Sequence, residues 1–194
     1  MQETGFLGPN VAAAHCVWLT DNDIEILADY GVSTIYNPVS NMKLGVGNVF
    51  PYTKIKESGI PVMLGTDGTA SNNGLNMMEE MKAASLLQKH STSDPRIMEA
   101  EEIFRIATGG ENRVFPNISG KIEEGADADC LLLNSGDSSL IPSHNLVSNI
   151  VYSAERSCID TVISGGRVLM KDGVIEGEKE IIRDFIKTTE KLIH

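Results

Sequence analysis

Two polar residues that could do chemistry each follow a short apolar run. Asp67 comes directly after residues 60–64, and His15 comes directly after residues 11–14. Continuous apolar runs of this length are typical of strands buried in a parallel sheet, and side chains at the exits of such strands line the active sites of α/β enzymes. A carboxylate can ligate a divalent cation or accept a proton, and an imidazole can orient water or stabilise charge near neutral pH. Together they suit metal-assisted hydrolysis.

The elements around these residues alternate between strand and helix. Thr20 and Asp23 have the spacing of a capping box, and Gly31 is placed to end the helix that follows it. We predict strands at 11–14, 32–35 and 60–64, a short helix at 51–57, and a polar, substrate-facing loop at 40–47 that begins after Pro38. Right-handed βαβ units place all strand exits on one side of a parallel sheet. His15, Asn37 and Asp67 are therefore expected to face one shared space.

The second half of the chain has a different pattern. Helices are predicted at 75–90, with capping residues supplied by 69–73, and at 97–108. Short strands are predicted at 128–133, 149–152, 161–164 and 167–170, with hairpin turns at 165–166 and 172–173. Residues 178–193 have the pattern of an amphipathic helix, which we expect to pack along the surface.

Composition excludes several classes of function. A chain of 194 residues with 41% hydrophobic and 22% charged residues can bury a core. Its formal net charge of −11 would repel a phosphate backbone, so nucleic acid is not an expected partner. The three cysteines are widely spaced, and neither a signal sequence nor an apolar run long enough for a membrane span is visible. We therefore expect a cytoplasmic protein without a membrane partner.

Taken singly, these residues allow simpler interpretations. Asp67 in a Gly-Thr-Asp-Gly sequence could be a turn or helix-capping residue, and His15 could be a hydrogen-bonded core histidine. A catalytic zinc usually takes three protein ligands plus water, so other ligands would also be needed.

Read as whole motifs, four segments together resemble the C-terminal half of the amidohydrolase superfamily. The resemblance is closest to the group of methylthioadenosine/S-adenosylhomocysteine deaminases and related chlorohydrolases. The matching segments occur in family order and span nearly the whole chain; they are 14–20, 37–45, 64–68 with 71–73, and 120–129.

The resemblance implies an α/β fold in two parts. Residues 1–118 would form the last three βα units of a metal-dependent (β/α)8, or TIM, barrel. Residues 119–194 would form part of a small antiparallel β-sandwich, followed by a C-terminal helix. Asp67 would end strand eight as a metal ligand and general base, His15 would end strand six and contact the substrate and the attacking water, and Asn41 would contact the substrate.

Two departures from the family pattern stand out. The family generally has a histidine before the Asn-Pro of strand seven, whereas this chain has Tyr36, which cannot replace an imidazole base. The sequence also starts just before strand six, so the His-x-His pair of strand one, the histidine of strand five and a nearby proton-shuttling glutamate are missing. The implied cofactor is a divalent metal, zinc first and iron as the alternative, which this fragment would hold weakly or not at all.

Two hypotheses follow. In the first, the chain is a segment of an amidohydrolase that deaminates an adenosine derivative such as methylthioadenosine or S-adenosylhomocysteine. It would be inactive without the missing N-terminal half, and dechlorination or another ring deamination is the close alternative reaction. In the second, the chain is an inactive remnant that serves as an interaction or oligomerisation module. Across the two hypotheses, the expected partners of the chain are a small-molecule substrate and either the missing half or a second copy.

Overall fold

The computed structural model describes residues 2–116 and 118–193. Its first part contains three strands and six helices: β1 Ala12–Ala14, α1 Asp21–Asp29, β2 Ser33–Tyr36, α2 Pro38–Lys43, α3 Tyr52–Glu57, β3 Val62–Leu64, α4 Thr69–Asn72, α5 Met77–Thr92 and α6 Ala100–Ala107. Its second part contains β4 Cys130–Leu133, α7 Leu146–Tyr152, β5 Ile159–Ser164, β6 Arg167–Met170 and α8 Glu178–Ile193. Short 3-10 turns occur at Gln2–Thr4, Ser138–Leu140 and Arg156–Cys158.

The first three strands form a parallel sheet in the order β1-β2-β3. Ala13 lies opposite Thr34, and Ile35 lies opposite Met63. The predicted strands are confirmed with small changes at their ends. Because all three strands run in the same direction, their carboxyl ends meet at one edge, which is where the polar residues follow.

Local sequence signals set the first helix. The Thr20 side chain accepts a hydrogen bond from the Asp23 amide, and the Asp23 carboxylate accepts one from the Thr20 amide, so the predicted capping box is confirmed. Gly31 follows the helix at φ 67°, a conformation that favours glycine. The helix buries Ile24 and Leu27 in the core.

The prediction of a loop at 40–47 is partly wrong, because α2 occupies Pro38–Lys43. Pro38 is the first residue of this helix, where its missing amide costs nothing and its fixed φ is favourable. Residues beyond Leu44 do form a loop. The helix brings Ser40 within hydrogen-bond distance of Asp67 and Asn41 within hydrogen-bond distance of His15.

The helix predicted at 75–90 is confirmed as α5, but its cap differs from the prediction. Asn76 accepts a hydrogen bond from the Met78 amide at 3.1 Å, and residues 69–72 form the separate helix α4. Helices α5 and α6 bury their apolar residues together with those of the parallel sheet. This core includes Val32, Ile55, Val62, Met81, Ala84, Ile103 and Ile106.

Strands β4, β5 and β6 form a separate antiparallel sheet. Gly165 and Gly166 both have positive φ and form the predicted turn between β5 and β6. The strand predicted at 149–152 is wrong, because Leu146–Tyr152 is the helix α7. Asn145 caps it by accepting from the Ser148 amide at 2.8 Å, and the helix packs against α5 and α6. The division of the chain at residue 118 stays a prediction.

Helix α8 has the predicted bounds, but the expected packing along the surface is wrong. Its apolar side chains are exposed, Phe185 by 67% and Ile181 by 62%. In the ranges 2–116 and 118–193, no helix has the length and apolar content that crossing a bilayer requires.

Candidate active site

The His15 and Asp67 side chains lie beside each other at the carboxyl edge of the parallel sheet. Nε2 of His15 is 3.9 Å from Oδ2 of Asp67. The backbone at the two strand exits has φ of 69° and 62°, respectively, in the left-handed region that residues other than glycine rarely adopt. Such strain is concentrated at functional sites, where the surrounding structure stabilises it. The expectation that these residues converge is confirmed.

Asp67 is an ionised carboxylate that is held by three donors. Oδ2 accepts hydrogen bonds from the Ser40 hydroxyl at 2.6 Å and the Ser71 hydroxyl at 2.7 Å, and Oδ1 accepts one from the Gly68 amide at 2.7 Å. The Ser40 hydrogen bond, followed by those of Ser71 and Gly68, lowers the pKa of Asp67 from 3.8 to about 2. The side chain is 31% exposed, so this charge stays accessible to a ligand.

His15 is oriented by Asn41, which is the residue expected to contact the substrate. Nδ1 of His15 lies 2.8 Å from Oδ1 of Asn41, whose side chain is buried. Because an amide oxygen only accepts, Nδ1 carries the proton in this arrangement. Nε2 then faces Asp67, with 42% of the imidazole side chain exposed to solvent.

Asn37 directly follows β2, but it is buried rather than open to the space that His15 and Asp67 face. Its side-chain nitrogen would be 2.8 Å from a Cβ at position 65, so only glycine fits there beside it. Among the described residues, Oδ1 of Asn37 and Nδ2 of Asn41 are buried atoms without a hydrogen-bond partner. The structure therefore brings the partly exposed His15 and Asp67 together with the buried Asn41, and it also buries Asn37.

Tyr36 belongs to the core and not to the site. Its ring stacks on Phe50 with centroids 4.6 Å apart, and its hydroxyl accepts a hydrogen bond from Gln88 at 3.3 Å. Burial raises the pKa of Tyr36 to about 12, so the phenol is neutral at physiological pH. Tyr36 is therefore a packing residue.

The sequence did not predict that Ser40 and Ser71 hydrogen-bond to Asp67, and it gave no role to the buried Glu80. Ser71 lies four residues after Asp67, and that spacing could have indicated a hydroxyl within reach of the carboxylate. The Ser40 contact joins two different βα units, and no local signal in the sequence predicts it.

The described residues do not by themselves fit a catalytic zinc ion. Within residues 2–116 and 118–193 no group of three His, Cys, Asp or Glu side chains is arranged to hold a metal. His15 and Asp67 offer two donors, whereas a catalytic zinc takes three protein ligands. Further donors would have to come from polypeptide outside these residues.

A separate cavity of about 510 Å³ lies between helices α5 and α6 and strand β4. Its walls are mostly apolar and include Met77, Met81 and Phe104. It does not include His15, Asn41 or Asp67, so it is separate from the candidate active site.

The curated proteins that the chain resembles include two archaeal deaminases. The chain is 45% identical over 190 residues to the 5-methylthioadenosine/S-adenosylhomocysteine deaminase 1 of Archaeoglobus fulgidus, covering 98% of this chain and 45% of that protein. It is also 45% identical over 195 residues to the 5'-deoxyadenosine deaminase of Methanopyrus kandleri, covering 99% of this chain and 45% of that protein. The chain thus spans a little under half the length of the curated relatives that it matches.

Solved structures show the same fold. An adenosine deaminase from Xanthomonas campestris with bound zinc superimposes with a TM-score of 0.83 at 28% identity, over 96% of this chain and 45% of that one. The zinc complex of an atrazine chlorohydrolase from Arthrobacter aurescens superimposes with a TM-score of 0.86 at 24% identity, over 94% of this chain and 41% of that one. At this identity the comparison shows a similarity of fold alone. The mixed fold of parallel and antiparallel sheets is therefore that of amidohydrolase structures. The family model described as "Amidohydrolase family" matches residues 1–169. The chain therefore belongs to the amidohydrolase family.

Proposed function

We propose that this chain forms one part of the active site of a deaminase that hydrolyses the amino group of an adenosine derivative. The observation that carries the proposal is the juxtaposition of the ionised Asp67 carboxylate and the His15 imidazole, 3.9 Å apart at one sheet edge. The names of the archaeal relatives support a substrate of the methylthioadenosine, S-adenosylhomocysteine or 5'-deoxyadenosine type.

In this proposal, residues 1–118 are the last three βα units of a (β/α)8 barrel, and residues 119–194 contribute to a second, β-rich domain. The parallel sheet supports this view because β1 and β3 are its outer strands, and neither pairs with a further strand among the described residues. Unpaired edges of buried parallel strands leave amide and carbonyl groups without partners. Further strands of the barrel would cover both edges.

Asp67 would act as the acceptor for the proton of the attacking water and as a ligand for a metal. Its low pKa keeps it ionised at neutral pH, which a ligand requires. The same low pKa makes it a weak base, so efficient proton transfer needs a water that the rest of the site makes more acidic.

His15 would position the same water and stabilise charge on the substrate. Asn41 fixes its ring so that Nε2 faces Asp67, and a neutral imidazole would present a lone pair there. A water between Nε2 and Oδ2 could donate one hydrogen bond to each acceptor. Attack on the aminated ring carbon would then release ammonia.

The proposed activity depends on other polypeptide, because His15 and Asp67 do not complete a metal site. We propose a divalent ion, with zinc favoured by the zinc-bound Xanthomonas campestris deaminase. The isolated chain would be inactive, and its functional partners would be the remaining strands of the barrel and the small-molecule substrate. The site itself would be in a cytoplasmic enzyme.

A second candidate is an interaction or oligomerisation module without activity. The exposed apolar side chains of helix α8, such as Phe185 and Ile182, favour this reading. It differs from the first proposal in assigning no chemistry to Asp67.

A chimera can separate the two candidates. Residues 1–194 would replace the corresponding part of the Archaeoglobus fulgidus deaminase, and ammonia release from methylthioadenosine, S-adenosylhomocysteine and 5'-deoxyadenosine would be measured. We expect activity on at least one substrate and a loss of about 10²- to 10⁴-fold for Asp67→Asn, because asparagine tolerates the same backbone but cannot take the proton. A folded chimera without activity, or an Asp67→Asn variant as active as the parent, would contradict the proposed function.

A further inference from the structure

Glu80 is a buried carboxylate beneath the site. It lies on α5, and its side chain is 1% exposed. Within the described residues it has no ion pair, and burial raises its pKa above the ordinary value. A buried carboxylate without an ion pair costs free energy unless its hydrogen bonds compensate for the lost solvation.

One oxygen of Glu80 holds the helix that carries two residues of the site. Oε2 accepts a hydrogen bond of 3.2 Å from the amide of Val39, in the first turn of α2. The N-cap residue of that helix makes no side-chain capping bond, so Glu80 satisfies a donor that would otherwise be free. The next two residues are Ser40, which donates to Asp67, and Asn41, which orients His15.

The other oxygen of Glu80 holds the backbone that carries Asp67. Oε1 accepts a hydrogen bond of 2.5 Å from Nδ2 of Asn72. The same nitrogen donates to the carbonyl of Thr66 at 2.6 Å. Thr66 directly precedes Asp67, whose φ of 62° needs support from its surroundings.

We propose that Glu80 is a positioning residue that fixes the two sides of the site relative to each other. Its two oxygens connect α2, which orients His15 and stabilises Asp67, with the strained turn that aims the Asp67 carboxylate. This inference rests on the proposed function, because it assigns Glu80 a part in the reaction of that site. Glu80 touches neither His15 nor Asp67 and acts through Val39 and Asn72.

The substitution Glu80→Gln tests the proposal with little change of shape. An amide has one acceptor oxygen, so it can serve Val39 or Asn72 but not both. Glu79→Gln is the matched control, because Glu79 is the adjacent residue, is exposed and loses the same charge. NMR spectra of the full 194-residue chain would be compared for the amides of Val39 and Gly68 and for the ring nitrogens of His15.

We expect Glu80→Gln to shift these signals while amides in β4, β5 and β6 stay unchanged, and we expect Glu79→Gln to shift none of them. In the chimera, Glu80→Gln should lower kcat at least tenfold with KM within about twofold, and Glu79→Gln should leave both within about twofold. Unchanged site signals, or changes of equal size throughout the chain, would overturn the proposal. An unchanged kcat despite shifted site signals would overturn it as well.

A double variant covers the case in which Glu80→Gln does not fold. In Glu80→Gln with Asn72→Asp, the new glutamine can donate to the new carboxylate and still accept from Val39, but nothing donates to the Thr66 carbonyl. Val39 should then return to its original signal while Gly68 does not. Recovery of both or of neither would contradict the two-sided role. The NMR result is independent of deamination, so an inactive parent chimera would refute the proposed function without deciding the contacts of Glu80.

Discussion

Oδ2 of Asp67 accepts a 2.6 Å hydrogen bond from the hydroxyl of Ser40, which belongs to the preceding βα unit. This contact joins the exits of β2 and β3 and is the largest cause of the low pKa of Asp67. It also connects the carboxylate to α2, where Asn41 orients His15. The charge at one strand exit is thus set by a residue that follows another strand.

Ser40→Ala should raise the pKa of Asp67 from about 2 toward 3.8, because the strongest stabilising hydrogen bond of the carboxylate is lost. Carboxyl carbon NMR during a pH titration would measure this change. Ser71→Ala should raise the pKa less, and Ser91→Ala, on the far end of α5, should leave it unchanged. An Asp67 pKa that does not respond to Ser40→Ala would show that the hydroxyl does not stabilise the charge.

Asp67 should make folding stability depend on pH in the acid range. Its folded-state pKa lies below the ordinary value, so its ionised form stabilises the folded chain above about pH 4, and this contribution is lost as the pH falls toward 2. Urea unfolding of the parent and of Asp67→Asn should therefore differ at pH 6 and converge near pH 2. A difference that grows as the pH falls would have the wrong sign for this account.

Tyr36 should respond to mutation as a core residue. Tyr36→Phe removes only the hydroxyl that accepts from Gln88 and should cost about 1 kcal/mol of unfolding free energy. Tyr36→His removes the stacked ring from beside Phe50 and buries an imidazole, which should cost about 2 to 3 kcal/mol. Chemical denaturation measures both. If Tyr36→His were as stable as the parent, the position would not be a packing position.

Helix α8 should contribute little to the stability of the chain, because its side chains are exposed. Truncation after Gly177 is expected to leave the unfolding free energy within about 0.5 kcal/mol of the parent. The exposed apolar residues should instead promote self-association, so sedimentation should show more monomer after truncation or after Phe185→Glu. A large loss of stability on truncation would mean that α8 packs on the rest of the chain.

The parts of the fold that sequence predicted are those set by local signals. The Thr20 capping box, the helix end at Gly31 and the turn at Gly165 and Gly166 depend on neighbouring residues and were all confirmed. The strand exits at His15 and Asp67 were also predictable, because apolar runs mark buried parallel strands and chain order fixes their direction.

The parts that sequence missed depend on tertiary contacts. Residues 149–152 are apolar enough for a strand, but packing against α5 and α6 and the cap at Asn145 favour the helix α7. The roles of Ser40 and Glu80 were not predictable, because the Ser40 partner Asp67 and the Glu80 partner Val39 lie in other βα units. The residues at the strand exits could be found from the sequence, whereas the Ser40 hydroxyl that holds Asp67 could not.

Zinc stoichiometry tests the central claim most directly, which is that this chain supplies an incomplete half of a metal-dependent site. The purified chain and the chimera would be equilibrated with equimolar zinc, dialysed and measured by elemental analysis, each with Asp67→Asn as control. We expect well under one zinc per isolated chain and about one per chimera, with the chimera losing most of its zinc in Asp67→Asn. Tight one-to-one binding by the isolated chain would contradict the account.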